Sequence, residues 1–327
     1  MRDIVLLYDR NVTESFLYDG LKKRFENVTL INNPKNDSSL MSWFKGSYKA
    51  VRKASKGGKY MTTIVCWFDF QAVLCYWISV FCFKPVKLVA INILLKNKNT
   101  LKNKIVTFMY RKAMSNIWVE GTVTAEEMED WLYEKLGPDC VFSTLHDVYS
   151  YKDIECEFQD CGPTVFTGGI NGRDWKTAFS VARKMPEVNF YLVCPGSIYK
   201  KYKKSDMPSN ITFLCDISPQ DFIDIQKKCS ITYLPLDTNS PAGLIVMYQA
   251  AALEKFVITT DTMVTRDYIS DDRGCRVKMY DVDDAVEKIH YYLENVNERK
   301  DKSRNLKTFL QKECEEEWFI DRIASIC

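Results

Sequence analysis

The sequence predicts an α/β fold of two doubly wound, Rossmann-like halves, and three observations carry that expectation. Short, β-rich apolar runs recur along all 327 residues, with helix-like segments between them. In the second half the runs recur about every 20–25 residues, the length of one βα unit. The runs are continuously apolar and not alternating, as parallel strands covered on both faces require.

Taken in order, the first-half runs are 4–8, 28–31, 64–67, 86–91, 117–119 and 141–145. Those of the second half are 164–167, 189–193, 211–214, 231–234, 256–259 and 276–278. Two such series, in a chain of this length, predict two domains. The boundary is placed within 149–163, an acidic, weakly periodic stretch ending in Cys161-Gly162-Pro163. The expected domains are 1–160 and 161–310, with 311–327 a C-terminal helix packing back on the first. Ser218-Pro219-Gln220-Asp221 supplies a cap, a proline at the first helical position and an acid that closes a capping box. After Asp283 two helical segments are expected, the last over 313–326 and amphipathic.

The stretch 62–83 is apolar enough to raise the question of a membrane span. Asp69 and Gln71 interrupt it, so a strand, a turn and a buried helix are the better reading. No signal peptide is expected, because Arg2, Asp3 and Asp9 break up the start.

A hydrophobic content of 46% and a charged content of 27% are those of a soluble globular protein. The 12 cysteines contain no CxxC pair and read as buried thiols of a reducing cytosol. Only two histidines occur, His146 and His290, which argues against zinc sites and histidine relays. No metal site is expected. The net charge of +2 hides an asymmetry: residues 1–120 carry 20 Lys/Arg against 8 Asp/Glu, and the remainder 25 against 35. A basic half suits an anionic surface. Nucleic acid is not the expected partner, since no motif for it is present.

Two segments carry phosphate chemistry. Thr167-Gly168-Gly169-Ile170-Asn171-Gly172-Arg173-Asp174-Trp175-Lys176 follows a strand and leads into a helix. Its glycines let a ligand approach the backbone, a helix N-terminus favours phosphate, and Arg173 and Lys176 add positive charge. It lacks the GxGxxG spacing of a dinucleotide fingerprint. The bland alternative is a Gly-rich turn with solvated charges. The second segment, from Asn239-Ser240-Pro241-Ala242-Gly243-Leu244 to Gln249 and Leu253, opens a helix with small residues. Its free N–H groups suit phosphate oxygens, and Gln249 falls on a face that could reach a ribose. Alone, it reads equally as a helix packed on the sheet.

Together, these two segments resemble the donor-binding half of family-4 glycosyltransferases with the GT-B fold. The shared pattern is a strand, a Gly-Gly-Arg-like turn, a Lys opening a helix, and later a Gly-initiated helix before Lys255-Phe256-Val257-Ile258. Asn210-Ile211-Thr212-Phe213-Leu214 and Ser218-Pro219-Gln220-Asp221-Phe222 resemble that family's segment beside the nucleotide base. The likeness covers residues 164–270 well and the first half loosely. It implies two Rossmann-like domains facing across a cleft, the first binding the acceptor and the second a nucleotide-sugar donor. The implied donor residues are Gly169, Arg173, Lys176, Ile217, Ser240, Gly243, Leu244 and Gln249, with Gln249 where the family has a ribose-binding Glu. Ile170 stands where the family has its Arg, so Arg173 is expected to substitute. No acid stands at Ser240 or Pro241, where the family has the first Glu of a pair.

The resemblance further implies a metal-independent enzyme that retains anomeric configuration and needs no cofactor beyond its sugar nucleotide. The expected acceptor is a glycan or lipid-linked glycan of cell-surface polysaccharide synthesis. A non-catalytic scaffold of the same fold and a nucleotide-sugar epimerase are the alternatives.

In the first half, Asp9, Arg10 and Asn11 follow the first strand and are the acceptor-side candidates; Asp69 and His146 are the catalytic ones. A helix cap and a structural histidine are their plain alternatives. Within 41–59, Trp43, Phe44, Tyr48 and Val51 share one helical side, with Lys45, Lys49, Arg52, Lys53 and Lys56 around the remainder. With Lys96, Lys98, Lys102, Lys104, Arg111 and Lys112 they suit an anionic membrane surface, and a cytoplasmic, peripheral protein. The plain alternative is a helix that packs its apolar side on the sheet.

Overall fold

The computed structural model describes residues 3–12, 15–33, 37, 39–56, 62–95, 100–202 and 208–327. Residues 57–59, Lys96 and Lys98 of the basic stretches therefore lie outside the described residues. The chain forms two compact units, one of Met1–Val148 with Glu315–Cys327, the other of Tyr149–Cys314.

The first unit alternates β1 (Ile4–Leu7), α1 (Phe16–Arg24), β2 (Val28–Ile31), α2 (Leu40–Ala54), β3 (Thr63–Cys66) and α3 (Asp69–Phe81). It continues with β4 (Lys87–Ala90), α4 (Leu101–Met114), β5 (Val119–Val123), α5 (Glu126–Leu136) and β6 (Phe142–Thr144). All pairings are parallel, in the order β2-β1-β3-β4-β5-β6. The chain steps one way from β1 to β2 and the other way thereafter. With right-handed crossovers, α1 lies on one face of the sheet and α2 to α5 on the other.

The second unit runs β7 (Thr164–Gly168), α6 (Trp175–Lys184), β8 (Asn189–Cys194), α7 (Gly196–Tyr202), β9 (Ile211–Cys215), α8 (Pro219–Lys227) and β10 (Ile231–Leu234). Then come α9 (Leu244–Ala252), β11 (Phe256–Thr260), α10 (Thr265–Tyr268), β12 (Cys275–Val277), α11 (Val282–Glu294) and α12 (Val296–Glu313). Its parallel sheet has the order β12-β11-β10-β7-β8-β9. The last helix, α13 (Glu316–Ile326), belongs to the first unit.

Local chemistry explains the helix starts. Ser15, Ser39, Thr100, Ser218 and Asp281 each accept the backbone N–H three residues on, and Pro219 opens α8. The strands are inside because they are apolar: every residue of β1, β3, β10 and β11 is buried. In the first unit that core takes in Phe319, Ile320, Ile323 and Ile326 of α13. The carbonyl of Cys327 also accepts from Thr63 Oγ1 at 2.8 Å. A Cβ on Gly20 would meet Ile320 Cδ1 at 2.4 Å, so α1 and α13 approach at a distance only glycine permits.

Four expectations shift. The fifth strand is displaced to Val119–Val123, because Ile117 and Trp118, which suggested it, are 84% and 46% exposed. The division falls at the start of the acidic stretch, and 149–163 belongs to the second unit: Cys156 N donates to Ala252 O, Phe158 N to Glu254 Oε2 and Cys161 N to Ser230 Oγ. Three helices, not two, close the chain. In α2 the buried side is Ser47, Ala50, Val51 and Ala54, so Phe44 and Tyr48 face solvent beside the lysines.

Candidate functional site

In doubly wound sheets, ligands bind beyond the carboxyl ends of the strands, where the strand order reverses. In the second unit that point lies between β7 and β10. The two loops leaving these strands are the two segments the sequence singled out.

The backbone zips them together. Asp174 N donates to Pro235 O at 2.9 Å and Asp237 N to Gly172 O at 3.1 Å, around an antiparallel bridge between Arg173 and Leu236. Gly172, at φ +64°, allows the contact, since a Cβ there would meet Thr238 Cγ2 at 2.5 Å and Ala242 Cβ at 2.9 Å.

Arg173 lies at the centre and is 6% exposed. Its Nε donates to Gly168 O at 2.7 Å and Nη1 to Asn171 O at 3.1 Å, while Nη2 has no partner among the described residues. A Cβ on Gly169 (φ +114°) would sit 2.7 Å from Nη2, and one on Gly243 3.3 Å from Nη1. Both glycines therefore border the guanidinium. Burial pushes its pKa down to about 10, partly offset by Asp237, so it remains a cation at neutral pH. Ile170 is 71% exposed and Arg173 reaches back to the glycine turn in its stead.

The two helix starts differ. That of α6 is already capped: Asp174 Oδ1 accepts Thr177 N at 3.0 Å, and its Oδ2 accepts the Thr177 hydroxyl. The cap takes one amide of this helix end and sets a carboxylate beside it, which makes the end less favourable to phosphate. The start of α9 has left-handed Gly243 at its N-cap, no side-chain cap and no acid in its first turn. Its leading N–H groups, from Leu244 onward, have no intrahelical partners. Lys176, in the first turn of α6, is exposed and makes no ion pair among the described residues.

The remaining donor candidates border this centre in sequence. Ser240 is exposed, its N–H donating to Thr238 Oγ1 at 3.1 Å. Gln249 is half-buried, with a side chain that has no partner among the described residues. Ile217 is half-buried immediately before the Ser218 cap of α8. Sequence reasoning missed Asp237 and Thr238, whose signal was their place directly after β10.

The corresponding reversal in the first unit lies between β1 and β3. Arg10 and Asn11, after β1, are exposed. Asp9 is half-buried, with Oδ1 3.5 Å from Arg10 Nε. Asp69, after β3, is 2% exposed. Its Oδ1 accepts Phe70 N at 2.8 Å, and Oδ2 accepts Leu94 N at 2.8 Å and Tyr110 Oη at 2.9 Å. Burial pushes this carboxyl up despite those bonds. Both oxygens accept from α3, α4 and the loop after β4, a structural use of the carboxylate. His146 is half-buried after β6 and stands beside Asp147, whose carboxyl burial pushes up to about 6 while Asn92 and His146 pull it down.

Comparison with known proteins agrees with this geometry. Residues 178–309 match the family described as glycosyl transferases group 1. The match covers less than half of the chain and lies in its second unit; the fold of the chain is that of GT-B glycosyltransferases. HepE from Anabaena shares the fold, with a TM-score of 0.71 at 11% identity over 99% of both chains, and was solved with UDP and glucose. Sucrose-phosphate synthase from Thermosynechococcus elongatus gives a TM-score of 0.74 at 12% identity, over 99% of this chain and 98% of that one. A glycosyltransferase from Rickettsia africae gives 0.71 at 10% identity, over 99% and 97%. No curated protein matches this chain significantly by sequence.

Proposed function

We propose that this chain is a glycosyltransferase that holds a nucleoside-diphosphate sugar at the β7/β10 reversal, with the diphosphate against Arg173 Nη2, Lys176 and the first amides of α9. The observation that carries the proposal is the buried guanidinium bordered by Gly169 and Gly243, with one nitrogen uncommitted. A cation in a low-dielectric turn, beside an uncapped helix N-terminus, stabilises a diphosphate both as ligand and as leaving group. The protein's own charges thus stand where a divalent cation would otherwise act, which supports a metal-independent reaction with the sugar nucleotide as substrate and no resident cofactor. UDP is the first base to test, since HepE structures hold UDP and UDP-glucose.

The acceptor hydroxyl attacks the anomeric carbon as the bond to the diphosphate breaks, through an oxocarbenium-like transition state, and its proton passes to the departing diphosphate. Retention of configuration is part of the proposal and rests on the family-4 resemblance. So does the acceptor, a lipid-linked glycan of polysaccharide synthesis, approached by a protein peripheral to the membrane. Asp9, Arg10 and Asn11 at the β1/β3 reversal are its acceptor-side residues. Gln249 serves the ribose, and Ile217 the base.

The test is a thermal-shift screen against nucleoside diphosphates, followed by donor turnover with a panel of sugar nucleotides. Stabilisation by one diphosphate and sugar transfer or slow donor hydrolysis are expected. Stabilisation by none overturns the proposal in favour of a scaffold; release of an isomerised sugar without acceptor overturns it in favour of an epimerase.

A further inference from the structure

We infer that the outer face of α2, α3 and α4 seats the first unit on an anionic lipid bilayer; this deepens the membrane-peripheral reading above and rests on it. The three helices adjoin in that order on one face of the sheet.

Each turns an apolar line outward. In α4, Leu101, Ile105 and Phe108 are 76%, 54% and 54% exposed, at the i, i+4, i+7 spacing of one helical stripe. In α2, Met41, Phe44 and Tyr48 are exposed at i, i+3, i+7. In the middle helix Phe81 is exposed, and Phe83 just beyond it is almost wholly so. Exposed apolar side chains gathered on three adjoining helices mark an interaction site.

The charges on these helices decide the partner. Lys45, Lys49, Arg52 and Lys53 ride on α2, and Lys102, Lys104, Arg111 and Lys112 on α4. The only acid in the three helices is Asp69, which is buried and hydrogen-bonded. The boundary is sharp, since the next helix, α5, opens with Glu126, Glu127 and Glu129. Apolar lines flanked by cations and free of exposed acid fit an interface where rings and aliphatic chains enter the headgroup region and lysines meet anionic lipid. Among the described residues no helix is long and apolar enough to cross a membrane, so the contact is peripheral.

The experiment is co-sedimentation of the full chain with phosphatidylcholine vesicles, with or without phosphatidylglycerol. The comparison proteins are Ile105→Ser/Phe108→Ser and Lys49→Glu/Lys102→Glu/Lys104→Glu, all at exposed side chains. Wild type should pellet with the anionic vesicles only, and added salt should weaken this. The apolar pair should lose most of its pelleting even at low salt, and so should the charge variant. A UDP-induced thermal shift, read on the same samples, reports the donor site independently, so its loss or retention separates failure of that site from failure of this surface. Wild type that ignores anionic vesicles overturns the inference, as does an apolar variant that pellets like wild type. Self-association abolished by the same variants, without vesicle binding, overturns it in favour of a second copy.

Discussion

The guanidinium of Arg173 lies against Gly243, with Nη1 3.3 Å from where a Cβ on that glycine would stand. Gly243 is also left-handed, at φ +84°. Gly243→Ala therefore strains the backbone by about 1–2 kcal/mol and presses on the guanidinium. The expected result is a melting point a few degrees lower and a loss of nucleoside-diphosphate affinity of more than about tenfold, read by titration calorimetry. Arg173→Lys should behave similarly, since a lysine cannot span Gly168 O and Asn171 O while offering a third donor. Retained affinity in both variants would place the diphosphate elsewhere.

Lys176 offers the cleaner variant because its exposed side chain makes no ion pair among the described residues. Lys176→Ala should leave stability within about 0.5 kcal/mol. Loss of a charge-assisted phosphate contact costs about 1.5–3 kcal/mol, or roughly tenfold or more in affinity. The salt dependence of binding should also become shallower. An alanine variant that binds like wild type removes Lys176 from the site.

The strands among the described residues were legible because parallel strands are written as unbroken apolar runs, most plainly in the fully buried β1, β3, β10 and β11 and also in the half-buried β2 and β9. The fifth was misplaced because Ile117 and Trp118 look like strand residues yet face solvent, whereas Gly121 and Thr122 are interior. The pairing of the Gly168–Lys176 loop with the Thr238–Gly243 loop was legible only through the family pattern. Nothing local in the sequence announces that Asp174 N meets Pro235 O. The cap on α6 was readable in principle, since Asp174 stands three residues before Thr177. The bonds of Asp69 were not legible because its three donors, Phe70 N, Leu94 N and Tyr110 Oη, are assembled from separate parts of the chain. The outward turn of Phe44 and Tyr48 was likewise decided by packing: Ala50 and Val51 are the small, smooth side that fits the sheet.

Asp69→Asn separates a structural from a catalytic role. The amide keeps the shape but replaces an acceptor oxygen by a donor, which then faces N–H or O–H groups in a buried site. The cost should be about 2–3 kcal/mol, seen as a lower denaturation midpoint. Turnover per folded molecule should change less than about twofold, against a loss of about a hundredfold or more for a general acid or base. Normal stability with collapsed kcat would favour the catalytic reading.

Asp147 predicts a pH dependence whose sign follows from burial. Its carboxyl is raised from 3.8 to about 6, so the folded state holds the proton more tightly than the unfolded chain. Below pH about 4 both states are protonated and the group's contribution to stability is fully present. As pH rises through 6 the unfolded chain ionises freely while the folded carboxylate must form in a desolvated place, and that contribution is lost. The shift corresponds to at most about 3 kcal/mol, less in so far as Asp147 is partly open to solvent. Asp147→Asn keeps an acceptor for Asn92 and cannot ionise. It should therefore be roughly 1–2 kcal/mol more stable than wild type at pH 8, with the difference vanishing towards pH 4. Denaturant midpoints of both proteins across that range decide the matter. A difference that does not change with pH would mean that Asp147 ionises in the folded protein as readily as in the unfolded chain.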